Sequence, residues 1–170
     1  MTIKSKLPQT TTTIFSQMSQ LAAEHDAINL SQGFPDFPVD QRLKDLINHY
    51  VQADFNQYAP MIGVGELREA IAKKKLGLYG CQLDADAEIT ITNGATEAIF
   101  SAITALVRAG DEVIVFEPAY DSYVPAIEVN GGVAVPLRLR SLDYRIDWEE
   151  VKDKISPKTR MIMINTPHNP

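Results

Sequence analysis

Residues 111–117, "DEVIVFE", decide how this chain of 170 residues is read. Four apolar residues, Val113 to Phe116, stand between acids, with Pro118 immediately beyond. A run this short and this continuously apolar is the kind of strand found inside a parallel sheet, buried on both faces. On its N-terminal side, "ATEAIFSAITALVRAG" (95–110) is a helix apolar over much of its surface, with Gly110 as its stop. Before that helix, "EITIT" (88–92) alternates like a strand, and Asn93-Gly94 turns the chain. On the C-terminal side, "YDSYVPAIEVNGG" (120–132) reads as a short helix with Pro125 near its start, and "VAVPL" (133–137) as a further strand. "DWEEVKDKI" (147–155) opens on Asp147 with Glu150 three residues later, a capping-box pattern. "RMIMIN" (160–165) is a fourth strand. Alternation of strand and helix predicts an α/β fold with a mainly parallel sheet and right-handed crossovers.

The first half of the chain reads differently. Residues 1–13 are polar and threonine-rich, an extended arm. Helices are expected over "IFSQMSQLAAEHDA" (14–27), "QRLKDLINHYVQA" (41–53) and "ELREAIAKKKLGLY" (66–79), the last ending at Gly80. Between them lie the loops "INLSQGFPDFPVD" (28–40) and "FNQYAPMIGVG" (55–65). The length suits about one domain. The hydrophobic fraction of 45% is ample for a core. A formal net charge of −6 disfavours nucleic acid and anionic membrane surfaces as partners. One cysteine, Cys81, excludes an internal disulfide and fits a reducing compartment. The first residues lack the apolar core of a signal peptide, and "AIFSAITALV" (98–107) is too short to span a bilayer, so a cytoplasmic protein is expected. No two His, Cys or acidic residues show metal-ligand spacing, and no metal is expected.

Three stretches carry polar chemistry at the ends of strands. In "ITNGATEAI" (91–99) a strand turns through Gly94 into a helix, whose first amides lack intrahelical partners and lie at the positive end of the dipole. Gly94 permits close approach and Thr96 adds a hydroxyl, so this is either a phosphate cradle or an ordinary βα turn. In "FEPAYDSY" (116–123), Tyr120 can lie against a flat ligand, or it and Tyr123 are half-buried packing residues. In "NTPHNP" (165–170), Asn169 is stiffened by the proline that follows it and offers both a donor and an acceptor. A plain proline turn reads the same way. His168 shows no acid or nucleophile partner in the sequence, so it is not expected to act as a base.

Taken together, "NLSQGFPDF", "NQYAPMIGVGELREAI", "ITNGATEAI", "GDEVIVFEPAYDSY" and "NTPHNP" occur in an order and at intervals that resemble the class I pyridoxal-phosphate aminotransferases. The likeness is to the branch containing kynurenine and methionine aminotransferases, and it runs from Leu7 onward. It implies a fold-type I α/β enzyme. Residues 1–40 would form an N-terminal arm and small-domain segment, and 41–170 the first part of the cofactor-binding large domain. It implies that Gly94, Ala95 and Thr96 hold the phosphate of pyridoxal 5′-phosphate, that Tyr120 stacks on its ring, and that Asn169 binds its phenolic oxygen and helps position the substrate carboxylate. Gly33 would face that carboxylate through its backbone. Phe15 and Phe34, with Ile14 beside them, would border the substrate side chain. Tyr58 would reach the phosphate of a partner subunit, making a homodimer. The implied substrates are methionine or aromatic-type amino acids and a 2-oxo acid.

The lysine that bonds the cofactor in such enzymes has no counterpart here. Lys152, Lys154 and Lys158 lie in or beside a surface helix ahead of the last strand. The resemblance therefore implies an N-terminal part of a longer enzyme, inactive by itself. A cysteine-conjugate β-lyase of the same branch and a truncated, catalytically dead chain are the alternatives. In the implied sheet order only "DEVIVFE" and "VAVPL" are neighbours. The strands at 88–92 and 160–165 would lack partners, and residues 1–170 alone are not expected to complete the native sheet.

Overall fold

The computed structural model describes residues 4–8, 12–33 and 35–169. Among the described residues, six helices and three strands follow in the order α1 (Ile14–Glu24), α2 (Gln41–Gln52), α3 (Gly65–Tyr79), α4 (Gly94–Leu106), β1 (Glu112–Glu117), α5 (Tyr123–Val129), β2 (Val133–Arg138), α6 (Trp148–Lys154) and β3 (Thr159–Met163). They fall into two units. One comprises the described residues up to Thr13 with those from Asn93 onward; the other is Ile14–Thr92. Among the described residues no helix is long and apolar enough to cross a membrane.

In the first unit a parallel sheet has the order β2-β1-β3. β1 is the centre, with Val113 and Ile114 fully buried and Val115 and Phe116 at 1% and 6% exposure. Its side chains alternate between two cores. Val113 and Val115 pack with Ile103 and Val107 of the α4 segment and Ala126 and Ile127 of α5. Ile114 and Phe116 pack on the other face with Leu137, Leu139 and Val151 of α6. Each such side chain is worth about 1.5–3 kcal/mol when fully buried. Pro136 fits β2 because that strand lies at the sheet's edge.

The pairing corrects one expectation. The strand at 160–165 does not stand apart: as β3 it pairs with β1, Val113 opposite Met161 and Val115 opposite Met163. A central strand apolar on both faces offers hydrogen-bonding groups along both edges, and β2 takes only one of them. Residues 88–92 form no ladder, and the expected first strand is irregular here. Within that stretch Ile91 N–H donates to the Ile62 carbonyl at 3.0 Å. α4 also ends earlier than Gly110 suggests. It stops at Leu106, Val107 is drawn extended into the core, and Arg160 Nε donates to the Leu106 carbonyl at 3.0 Å. Gly110, at φ 86°, serves instead as the turn into β1, its N–H donating to the Gly131 carbonyl.

The second unit holds α1, α2 and α3. Asp40 caps α2 by accepting from Arg42 N–H at 2.8 Å, and Gly80 closes α3 in the left-handed conformation. Arg68, only 7% exposed, ties two loops together. Its Nε donates to the Gly63 carbonyl, and its Nη1 reaches both the Ala85 carbonyl and Asp86.

The capping pattern at α6 is realised: Asp147 accepts from Glu149 N–H at 3.1 Å and Glu150 N–H at 3.3 Å. It also pairs with Arg140. The Arg140 guanidinium, and then the Glu150 amide, hold the Asp147 carboxyl below its ordinary value of 3.8. A carboxyl depressed in the native state favours folding while ionised. That contribution is full above pH 3.8 and is lost as pH falls through the lower native value. Asp147→Asn is therefore expected to lose less stability on acidification than the parent. Melting curves taken between pH 7 and 2 check this, and parallel losses in the two proteins would contradict it.

Glycine packing gives a second test. A Cβ at Gly132 would lie 2.6 Å from Val107 Cγ1 and 2.9 Å from Ile127 Cγ2, inside the core between α4 and α5. Gly132→Ala should cost about 1–3 kcal/mol through overpacking. Gly77, inside α3, has nothing within 4 Å of its Cβ position. Gly77→Ala should stabilise by about 0.4–1 kcal/mol. Denaturant titration of both variants reads the two signs.

Candidate functional site

Parallel strands all end at the same edge of their sheet, and ligands of open α/β folds bind at that carboxyl edge. Here the loop after β1 carries Pro118 and Tyr120, the loop after β2 carries Tyr144, and the loop after β3 carries His168 and Asn169. The start of α4 supplies Gly94, Ala95 and Thr96.

Two of the sequence-predicted groups meet directly. Thr96 Oγ1 lies 3.2 Å from the Tyr120 hydroxyl. One of the two donates, and a second hydroxyl hydrogen or lone pair remains to face a ligand. Thr96 is exposed, while Tyr120 is half-buried against Tyr123, the rings edge-on at 5.7 Å and 79°. Gly94 adopts φ 80° and has nothing within 4 Å of its Cβ position, so the backbone can be approached closely there. The Glu97 carboxylate accepts from Asn93 N–H at the same helix start. α4 has 13 residues, long enough for its dipole to favour an anion at this end. This donor set, two hydroxyls at a helix start beside a glycine, fits a phosphorylated aromatic group.

Asn169 is exposed at the end of the β3 loop. Next to it, His168 Nε2 lies 2.6 Å from the Pro118 carbonyl oxygen. A cleft of about 720 Å³ includes Tyr120, Arg138 and Arg140 in its lining, and an apolar one of about 300 Å³ includes Thr96, Phe100 and Leu7. His168 had no visible partner in the sequence because Pro118 is 50 residues away.

The remaining predicted residues lie in the second unit. Gly33 is exposed with nothing within 4 Å of its Cβ position. Its loop is anchored to α1 by side chains that the sequence reading passed over. Asn29 Nδ2 donates to Ser19 Oγ at 3.0 Å, Ser19 Oγ donates to Gln32 Oε1 at 3.2 Å, and Asn29 Oδ1 accepts from Ser31 N–H at 3.0 Å. An Asn followed two residues later by Ser is an Asx-turn signal that could have been read. Phe15 is half-buried and Ile14 exposed at the start of α1. Tyr58 is fully exposed, at 102%. Phe34 lies outside the described residues.

The chain is 58% identical over 167 residues to methionine aminotransferase of Escherichia coli, covering 98% of this chain and 43% of that protein. It is 36% identical to human kynurenine–oxoglutarate transaminase 3, covering 92% of this chain and 37% of that protein. The crystal structure of YbdL from Escherichia coli, for which a methionine aminotransferase function was identified, superposes with a TM-score of 0.96 at 56% identity, over 100% of this chain and 44% of that one. N-succinyldiaminopimelate aminotransferase of Mycobacterium tuberculosis superposes with a TM-score of 0.93 at 37% identity, over 99% of this chain and 44% of that one. The chain thus spans less than half the length of these relatives, and its α/β architecture is that of the fold-type I aminotransferases. The aminotransferase class I and II family matches residues 25–170, and the chain belongs to that family.

Proposed function

We propose that this chain is the N-terminal part of a pyridoxal-phosphate-dependent aminotransferase that moves an amino group from methionine or aromatic-type amino acids to a 2-oxo acid. The observation that carries this reading is the meeting of Thr96 and Tyr120, 3.2 Å apart at the start of α4, in a chain of this family. Its 58% identity to a methionine aminotransferase supports the donor class.

Pyridoxal phosphate, when bound, supplies the electron sink for amino transfer. The residues of this chain bind and orient. The amides of Ala95 and Thr96 and the Thr96 hydroxyl donate to the phosphate, with Gly94 allowing close approach. The Tyr120 ring lies against the cofactor ring. The Asn169 carboxamide donates to the phenolic oxygen and helps orient the substrate carboxylate, as does the Gly33 backbone. Phe15, Ile14 and Phe34 border the substrate side chain. Tyr58, fully exposed, reaches the cofactor phosphate of a second subunit in a homodimer. The lysine that completes the site belongs to a segment outside this chain. Residues 1–40 act as the arm and small-domain segment, and 41–170 as the first part of the large domain. The enzyme works in the cytoplasm.

Thr96→Val removes a hydroxyl that donates to a charged group, worth about 1.5–3 kcal/mol. At 1.4 kcal/mol per factor of ten, pyridoxal phosphate should bind the full-length variant roughly 10–100-fold more weakly. Equilibrium titration of the cofactor-free protein measures this. Incubating the full-length enzyme with methionine and a 2-oxo acid should yield the matching amino acid, one for each methionine consumed. Absence of amino transfer from methionine and from aromatic amino acids would end this reading.

A further inference from the structure

We infer that His168 is a positioning residue that clasps the loops following all three strands and so sets the spacing between Tyr120 and Asn169. The inference deepens the cofactor reading above and rests on it for its significance.

His168 Nε2 lies 2.6 Å from the carbonyl oxygen of Pro118. A carbonyl oxygen can only accept, so Nε2 carries the hydrogen and donates it. Pro118 stands two residues before Tyr120, and His168 immediately before Asn169. This one bond therefore joins the two loops whose side chains are assigned to the cofactor ring and its oxygen.

The imidazole also meets the loop after β2. The Tyr144 ring lies 5.4 Å from it, tilted at 51°. Tyr144 sits at φ 54° and Leu142 at φ 77°, two non-glycine residues in the left-handed region within three positions. Such conformations cost energy and persist only where the surroundings hold them. Here the turn is closed by Arg140 N–H to the Arg145 carbonyl and by Tyr144 N–H to the Arg140 carbonyl, both at 3.1 Å. The strained turn thereby presents Tyr144 to His168. One side chain thus touches the exits of β1, β2 and β3. The sequence offered His168 no partner for proton transfer; the structure gives it a mechanical role.

The test uses the full-length protein. His168→Phe keeps the ring bulk but removes the donor; His168→Gln restores an N–H at a similar reach. Three readouts apply: the dissociation constant of pyridoxal phosphate, the pH midpoint of the bound cofactor's absorption change, and the Tyr120–Asn169 separation in crystals of each variant. Loss of one such bond corresponds to roughly tenfold weaker cofactor binding in His168→Phe. A displaced pH midpoint and an altered Tyr120–Asn169 separation should accompany it, and His168→Gln should recover most of each. A folded His168→Phe with the parent's affinity, midpoint and separation would overturn the inference. So would equal impairment of the Phe and Gln variants, since the hydrogen bond would then not be the cause. If His168→Phe does not fold, His168→Asn, too short to reach the Pro118 carbonyl, replaces it with the same expected losses and the same overturning result. If the parent itself binds no pyridoxal phosphate, the cofactor reading fails, and the Tyr120–Asn169 separation alone still decides the clasp.

Discussion

Burial of β1 on both faces, with parallel partners on both edges, is the constraint from which the rest of this architecture follows. A strand whose four central residues are at most 6% exposed must be covered by helices above and below. It must also find backbone partners on each side, because unpaired buried amides and carbonyls are costly. Parallel pairing then demands long crossovers, supplied by α5 between β1 and β2 and by α6 between β2 and β3. The consequence is directional. All three strands finish at one edge, and every loop that leaves them opens there.

That edge turns a hydrophobic requirement into a polar constellation. The loops cannot be buried without stranding their backbone groups, so they stay at the surface and carry the polar side chains. The Thr96–Tyr120 contact and the His168–Pro118 bond lie among them, joining segments 24 and 50 residues apart.

What could be read locally was read correctly where local physics decides. The apolar run of β1, the Asp147 cap of α6 and the left-handed Gly80 closing α3 each depend on neighbours within a few residues. The readings that needed correction all depend on distant partners. Gly110 looked like the stop of α4, yet the helix yields at Leu106 because Val107 is recruited into the core and Arg160 caps the free end. "EITIT" has the alternation of a strand but forms no ladder among the described residues. "RMIMIN" was a strand by pattern, but its place beside β1 follows from an unfilled edge, which no local pattern records.

The candidate site divides the same way. The residue types and positions were legible in the sequence, with Gly94 opening a helix, Thr96 in its first turn, and Tyr120 and Asn169 after strands, while their proposed cofactor roles came from the family resemblance. Residue type and spacing determine which groups can donate, stack or turn. The sequence by itself also determined the α/β class, because the switch from alternating to helical periodicity is a property of consecutive residues. Only the tertiary structure decided that β3 takes the second edge of β1 and that His168 bonds to Pro118 with Tyr144 against its ring. Those contacts join residues separated by tens of positions, and they form because a doubly buried strand brings its neighbours' ends to a common edge.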